Sequence, residues 1–268
     1  MTDKAEEKVS KFYNTLGWTT EGGVTEDARR WEDLRENAKK YVSKCRLRVL
    51  KYIPDRGENI LDMASGPIQY MEYLEYSRNF RRRYCVDLST GALDAAKEKI
   101  GDHGIFLHGS FLTIDVEPNF FDCAVSLHTI YHVDKDRQEE AVRKLVDVIK
   151  PGKRVIIVYS NPNIFYSGLL NKIREILGKP EKVKALEADS GLYFHAHPIE
   201  WWSRYVDIAD VKIVPWRSFT SNAQKRLIPD NWLGRKMFDV LFNLEDRFPN
   251  FFVKYFQYPM IILTKRET

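Results

Sequence analysis

From about residue 59 the apolar and polar positions alternate between two periods. Short apolar runs predict buried strands at Asn59–Asp62, Tyr84–Asp87, Phe121–Leu127 and Arg154–Tyr159. A further short strand is expected before Leu107-His-Gly-Ser-Phe111. Helical spacing fills the intervals. Ser89 is placed to cap a helix whose apolar positions are Leu93, Ala96 and Ile100. Asp134 is expected to cap the next helix, with Ala141, Leu145, Val148 and Ile149 on its apolar face and Lys150-Pro151-Gly152 as its stop. Strand alternating with helix predicts an α/β fold with a doubly wound, largely parallel sheet.

The flanks follow other patterns. Residues 1–50 read as helical, with Phe12, Tyr13, Trp18, Trp31 and Tyr41 as apolar matter to bury. Residues 161–210 carry turn signals at Asn161-Pro162-Asn163 and Gly178-Lys179-Pro180, a helical piece at 165–177 and the aromatic segment Tyr193–Trp202. A strand at Val211–Trp216, a helix at 232–247 and a last strand at Tyr258–Thr264 end the chain. The organisation expected is one domain over 1–268: a helical segment (1–50), a core (51–160), insertions (161–257) and a final strand (258–268).

Composition narrows the class. The chain has 268 residues, 44% of them hydrophobic, and its 42 basic and 38 acidic side chains nearly cancel, which excludes a disordered polyelectrolyte. No run of 18 apolar residues predicts a membrane span, and the start MTDKAEEKVSKFYN lacks the apolar stretch of a secretory signal. The net charge of +4 divides as +2 over residues 1–50, −2 over 51–200 and +4 over 201–268, without the sharp basic stripe of a nucleic-acid binder. Arg78, Arg81, Arg82 and Arg83 read either as the solvated end of a helix or as an anion patch. Cys45, Cys85 and Cys123 are far apart and follow no metal-motif spacing, Cys85 and Cys123 lie in apolar runs as buried thiols, and a reducing, cytoplasmic location is expected.

The stretch Asn59–Tyr70 carries the chemistry. A strand ends in Asp62 and turns sharply through Ala64, Ser65 and Gly66, where small residues let a ligand approach the backbone. Asp87 ends the next strand, where a carboxylate can accept both hydroxyls of a ribose. The G-x-G-x-x-G expected of a dinucleotide-binding turn is absent.

These motifs, with Phe121–His128 and the block from Leu145 to Ile157, resemble in order and spacing the class I S-adenosylmethionine-dependent methyltransferases, closest to the UbiE-like small-molecule group. The resemblance covers about residues 58–160 and implies a Rossmann-like, seven-stranded, mostly parallel sheet with a helical N-terminal lid and an inserted acceptor pocket. One departure stands out: the family's acid-x-Gly-x-Gly-x-Gly is Asp62-Met-Ala64-Ser-Gly66-Pro-Ile68 here, with only the central glycine kept. By resemblance, Ala64, Ser65 and Gly66 would line the methionine part of S-adenosyl-L-methionine, with Asp62 fixing the turn or the ammonium. Asp87 would bind the ribose, and Leu88, Ser110 and Phe111 the adenine. Leu127 and His128 would face the sulfonium, with Tyr131 and His132 at the mouth. Tyr13 and Trp18 would either cover the cofactor or merely pack.

Methyl transfer to a hydroxyl needs a base, and histidine titrates near neutrality. His128 is the first candidate. His195 and His197, two apart on an extended segment, face one way and form another, with no third metal ligand apparent, so no metal is expected. Tyr193, His195 and Trp201 are expected to line the acceptor pocket. The function implied is methylation of a small-molecule acceptor, expected at oxygen, on a saccharide, lipid-linked or aromatic metabolite. An RNA or protein methyltransferase and a non-catalytic cofactor-binding protein are the alternatives.

Overall fold

The computed structural model describes residues 4–165 and 191–267. The helical piece at 166–177 and the Gly178-Lys179-Pro180 turn lie outside the described residues.

The N-terminal segment comprises α1 (Lys4–Phe12), a single π-helical turn at Tyr13–Gly17, a two-residue hairpin of β1 (Thr20–Glu21) and β2 (Val24–Thr25), α2 (Glu26–Trp31) and α3 (Glu36–Leu47). The core follows as β3 (Gly57–Met63), α4 (Met71–Leu74), β4 (Phe80–Asp87), α5 (Thr90–Ile100), β5 (Gly104–His108), β6 (Phe121–Leu127), α6 (Gln138–Val148) and β7 (Ile149–Val158). The C-terminal part has a 3-10 stretch at Ile199–Tyr205, β8 (Ala209–Arg217), α7 (Ser221–Leu227), α8 (Trp232–Arg247), α9 (Pro249–Tyr255) and β9 (Tyr258–Lys265).

Seven strands form one sheet in the order β5-β4-β3-β6-β7-β9-β8. β9 runs antiparallel to both its neighbours, and the other pairings are parallel. This is the Rossmann-like, mostly parallel sheet expected, although the last strand in sequence enters between β7 and β8, not at an edge. Alternation along β3 explains the two layers. Leu61 and Met63 point into the apolar layer beneath α6, with Leu145 and Trp202. Ile60 points into the opposite layer, with Tyr41, Val42, Trp216 and Phe238.

Local chemistry sets the element ends. The Ser89 hydroxyl accepts from the Ala92 N–H and starts α5 as expected. Asp134 does not cap α6: its carboxylate accepts from the Asp136 N–H and closes a separate turn, and α6 begins at Gln138. Ile149 belongs to β7 and not to the helix, and Pro151 and Gly152 lie within that strand. Proline is tolerated there because pairing of β7 with β9 begins only at Arg154. The turn after β3 leads into α4, which has only four residues.

The arginine cluster divides: Arg78 is the exposed end of the helical turn Glu75–Ser77, as expected, and the other three lie beyond it. Arg81, Arg82 and Arg83 sit on β4, and Arg83 is buried in an ion pair with Asp62, its Nε 3.1 Å from Oδ2 and its Nη1 donating to the Tyr73 carbonyl at 2.6 Å. Arg81 instead pairs with Glu58 on the surface. Removing one partner of a buried pair leaves an uncompensated charge, so Asp62→Asn is expected to cost about 3–5 kcal/mol of unfolding free energy in denaturant titration. The double variant Asp62→Leu, Arg83→Met is expected to recover most of it. A single-variant cost under about 1 kcal/mol would remove the pair from the list of forces holding β3 to β4.

Candidate active site

The turn leaving β3 keeps a glycine backbone without the glycines. Ala64, Gly66 and Ile68 all have positive φ, at 56°, 55° and 49°. A non-glycine residue in this region costs roughly 1–2 kcal/mol, so something must hold the turn. The Ser65 N–H donates to the Val86 carbonyl, and the Lys99 ammonium donates to the carbonyls of Pro67 and Ile68 at 2.7 and 2.9 Å. Ile68 is itself buried in a small apolar cluster with Leu93 and Ala96.

Asp87 closes the corner. One carboxylate oxygen accepts from the Gly66 N–H at 2.9 Å and the other from the Ser89 N–H at 2.8 Å. Burial nevertheless raises its pKa to about 6, the two N–H donors pulling the other way. Asp62 turns toward Arg83, so its carboxylate is committed to the sheet and not to the turn.

From this corner a cavity of about 720 Å³ runs between the sheet and the N-terminal segment. Tyr13, Trp18, Asp62, Ala64, Ser65, Gly66, Asp87, Leu88, Ser110, Phe111, Leu127, His128, Tyr131 and His132 all border it, which brings those expected site residues to one place. Trp18 stacks on Tyr13 with centroids 4.8 Å apart and lies against Gly66, where an added Cβ would come within 2.9 Å of its ring. The Trp18 indole N–H is buried without a partner. The Ser110 hydroxyl donates to Glu6 of α1, tying the N-terminal segment to the loop after β5.

The histidines divide. His128 has a positive φ of 60°, and its ring lies edge-on to Trp216 and Tyr258, with Nδ1 3.0 Å from the Tyr131 hydroxyl. Burial, then the charges of Arg217 and Arg46, hold its pKa well below the ordinary value. The ring is therefore neutral and a weak base. His132 donates from Nδ1 to the Tyr193 carbonyl at 2.6 Å, and burial lowers its pKa to about 4.

The Tyr193–Trp201 segment does not deliver the expected acceptor wall. Tyr193, His195, His197 and Trp201 are not among the residues bordering the cavity, although Leu192 and Phe194 are. The segment binds the back of the Tyr131 loop: the His195 N–H donates to the Tyr131 carbonyl, the Tyr193 hydroxyl accepts from the Lys135 N–H, and the His197 ring stacks on Trp201 at 4.5 Å. Alternation along an extended segment explains this, since Phe194 faces the cavity and its neighbours face away. Among the described residues no group of three or more His, Cys, Asp or Glu side chains converges as a metal site. The three cysteines are buried, and burial pushes the Cys85 and Cys123 thiols up to about 12.

A second charged group on the cavity has no local signature in the sequence. Glu32 bridges Arg46 of α3 and Arg217 at the end of β8, at 3.2 and 2.9 Å. Asp27 of α2 lies 3.5 Å from the Tyr13 hydroxyl, and burial followed by repulsion from Glu32 raises its pKa to about 7. These residues come from elements distant in sequence, and only the chain fold joins them.

A methyltransferase-domain family model matches residues 61–157. The ubiquinone/menaquinone biosynthesis C-methyltransferase UbiE of Idiomarina loihiensis is 29% identical over 157 residues, covering 52% of this chain and 58% of that protein. The protein of the same name from Coxiella burnetii is 27% identical, covering 61% and 62%. The chain thus spans less than two thirds of the length of the curated relatives it matches. Among solved structures, geranyl diphosphate C-methyltransferase of Streptomyces coelicolor A3(2) superimposes over 98% of this chain and 99% of its own, with a TM-score of 0.60 at 17% identity.

Asp27 supplies a pH test. Its folded-state pKa of about 7 lies above the unfolded value of 3.8, so the folded state holds the proton longer and stability falls as pH rises from about 4 to about 7. Asp27→Asn is expected to flatten that part of the stability–pH curve and to raise the thermal midpoint at pH 8 more than at pH 4. Equal shifts at both pH values would show that Asp27 is not titrating against its burial.

Proposed function

We propose that this chain, which belongs to the class I S-adenosylmethionine-dependent methyltransferases, transfers a methyl group from S-adenosyl-L-methionine to a small, largely apolar acceptor. The observation that carries the reading is the Asp87 corner. Each carboxylate oxygen spends one lone pair on a backbone N–H and keeps another, side by side, for two vicinal hydroxyls. The unpartnered Trp18 indole N–H above Gly66 offers the same cavity a donor for an acceptor oxygen of the cofactor. Both features fit an adenosyl group with a methionine tail.

When bound, the cofactor supplies an electrophilic methyl group. The rest is positioning. Asp87 holds the ribose, the Ala64–Gly66 backbone lies along the tail, and Leu88, Ser110 and Phe111 border the side assigned to the adenine. Tyr13 and Trp18 exclude water from above. The acceptor side is walled by Trp31, Tyr70, Tyr73, Phe194 and Tyr258, which favours an apolar or aromatic acceptor.

Carbon is the better acceptor atom, in place of the oxygen expected from sequence. The relatives named above are C-methyltransferases, and burial with the nearby Arg217 and Arg46 charges holds the His128 pKa below its ordinary value, which disfavours it as the base for a hydroxyl. An electron-rich carbon takes the methyl as the carbon–sulfur bond breaks and then sheds its own proton, which at that stage is acidic enough to pass to water or to a weak base. His128 and Tyr131 then orient the acceptor, with the imidazole neutral.

Calorimetry with S-adenosyl-L-methionine and S-adenosyl-L-homocysteine tests the reading. Both are expected to bind, and Asp87→Ala is expected to weaken them at least about tenfold, the loss of a charged hydrogen-bond acceptor. Affinity should also fall as pH drops below about 6, where Asp87 takes up a proton. Absence of binding by either compound at millimolar concentration would sink the proposal.

His128→Ala is expected to keep cofactor affinity and to lose less than about tenfold in turnover, measured as labelled methyl incorporation into apolar acceptors. A loss of about a hundredfold or more would return His128 to the role of base and oxygen to that of acceptor.

A further inference from the structure

α8 has two apolar faces. The inner one packs on α3, where Phe238 stacks on Tyr41 with centroids 4.9 Å apart and Glu245 is fully buried. The outer one faces solvent. Leu233, Met237, Val240 and Leu244 repeat at helical spacing along it, and the stripe runs on past the helix through Phe248 and Phe251. Trp232 at its head is 66% exposed, Val240 56% and Phe251 52%, values at which water-facing helix positions are ordinarily polar.

The charges around the stripe are sorted. Every acid of α8 turns toward α3 and the turn after it: Asp239 pairs with Lys44, Glu245 with Arg48, and Asp246 with Arg48 and Lys51. Arg235 turns inward to the Asn37 side chain of α3, whereas the other cations go the other way. Lys236 lies over the Trp232 ring at 5.1 Å, Arg247 over Phe248 at 5.7 Å and Lys254 over Tyr255 at 5.2 Å. Among the described residues, no carboxylate pairs with these three. Arg226 and Leu227 of α7, six and five residues before Trp232 in the chain, border the cavity.

We propose that the outer face of α8 and α9 docks on an anionic lipid surface, with Trp232 and the Leu233–Phe251 stripe entering the headgroup boundary and Lys236, Arg247 and Lys254 meeting the lipid charge. A second copy is the poorer occupant. A two-fold contact would bring the cation-bearing stripe against the same stripe, while the acids of α8 are already paired with Lys44, Arg48 and Lys51. Among the described residues no helix is long and apolar enough to cross a membrane, so the contact is peripheral. The inference stands apart from methyl transfer, because lipid binding is read without cofactor.

The test is sedimentation of the full chain with phosphatidylcholine vesicles, with and without phosphatidylglycerol. Bound protein is expected to be at least about tenfold greater on the anionic vesicles and to fall with added salt. Val240→Glu with Leu244→Glu is expected to cut binding by about tenfold or more at an unchanged thermal midpoint. Lys236→Glu with Lys254→Glu should remove the preference for anionic lipid. No binding to either vesicle, or full binding by the Val240/Leu244 variant, overturns the proposal. So does a concentration-dependent dimer, seen by sedimentation velocity, that the same variant abolishes, since the face would then belong to a second copy.

Discussion

The buried ion pair between Asp62 and Arg83 constrains the whole ligand-facing edge of the sheet. β3 and β4 must run side by side to their last residues for the pair to close, and that register sets Met63 beside Val86 with Asp87 one residue on. Asp87 therefore reaches the Gly66 N–H across the turn without spending its whole acceptor capacity. An acid at the end of β3 that faced solvent would leave Arg83 charged and unpaired in the core, which the sheet could not tolerate. The pair explains why an acid stands beside the end of the strand even though its carboxylate is committed to Arg83.

The turn shows how two lost glycines can be tolerated. A left-handed backbone at Ala64 and at Ile68 costs roughly 1–2 kcal/mol each. Burying an isoleucine side chain returns about 1.5–3 kcal/mol, and Ile68 is 1% exposed. At Ile68, then, packing against Leu93 and Ala96 offsets the strain of the backbone. Ala64 has no comparable burial, and its conformation rests on the hydrogen bonds of its neighbours and on the Lys99 ammonium below. Strain at Ala64 and His128 falls on the rim of one cavity, where a fixed geometry matters most.

The strands were legible because buried parallel strands are short and apolar throughout, and β6 matches its expected run residue for residue. The helix at 232–247 was equally clear, since Asn231 caps it and Gly234 and Phe238 keep its inner face. Errors arose where one residue type serves two local purposes. Asp134 is a good cap that instead closes a turn, and Lys150-Pro151-Gly152 is a good helix stop that instead opens a strand. The cofactor side of the site was legible because it lies on consecutive strand ends. The charges of Asp27, Glu32 and Arg217 were not, because each is unremarkable in its own segment, and only the return of β8 to the sheet edge beside β9 brings Arg217 to Glu32.

The basic excess of the C-terminal part also acquires a place. Charge counted along a sequence says nothing of direction, and residues 201–268 total +4 whichever way they point. The fold separates them. Asp239, Glu245 and Asp246 are consumed by Lys44, Arg48 and Lys51, cations of the N-terminal segment, so the acids of one flank neutralise the bases of the other. Along the outer rim of α8 and α9, Lys236, Arg247 and Lys254 keep their charge and sit on aromatic rings. A nearly balanced composition is thus compatible with a strongly one-signed surface, provided that the balancing charges are paired across a helix–helix interface.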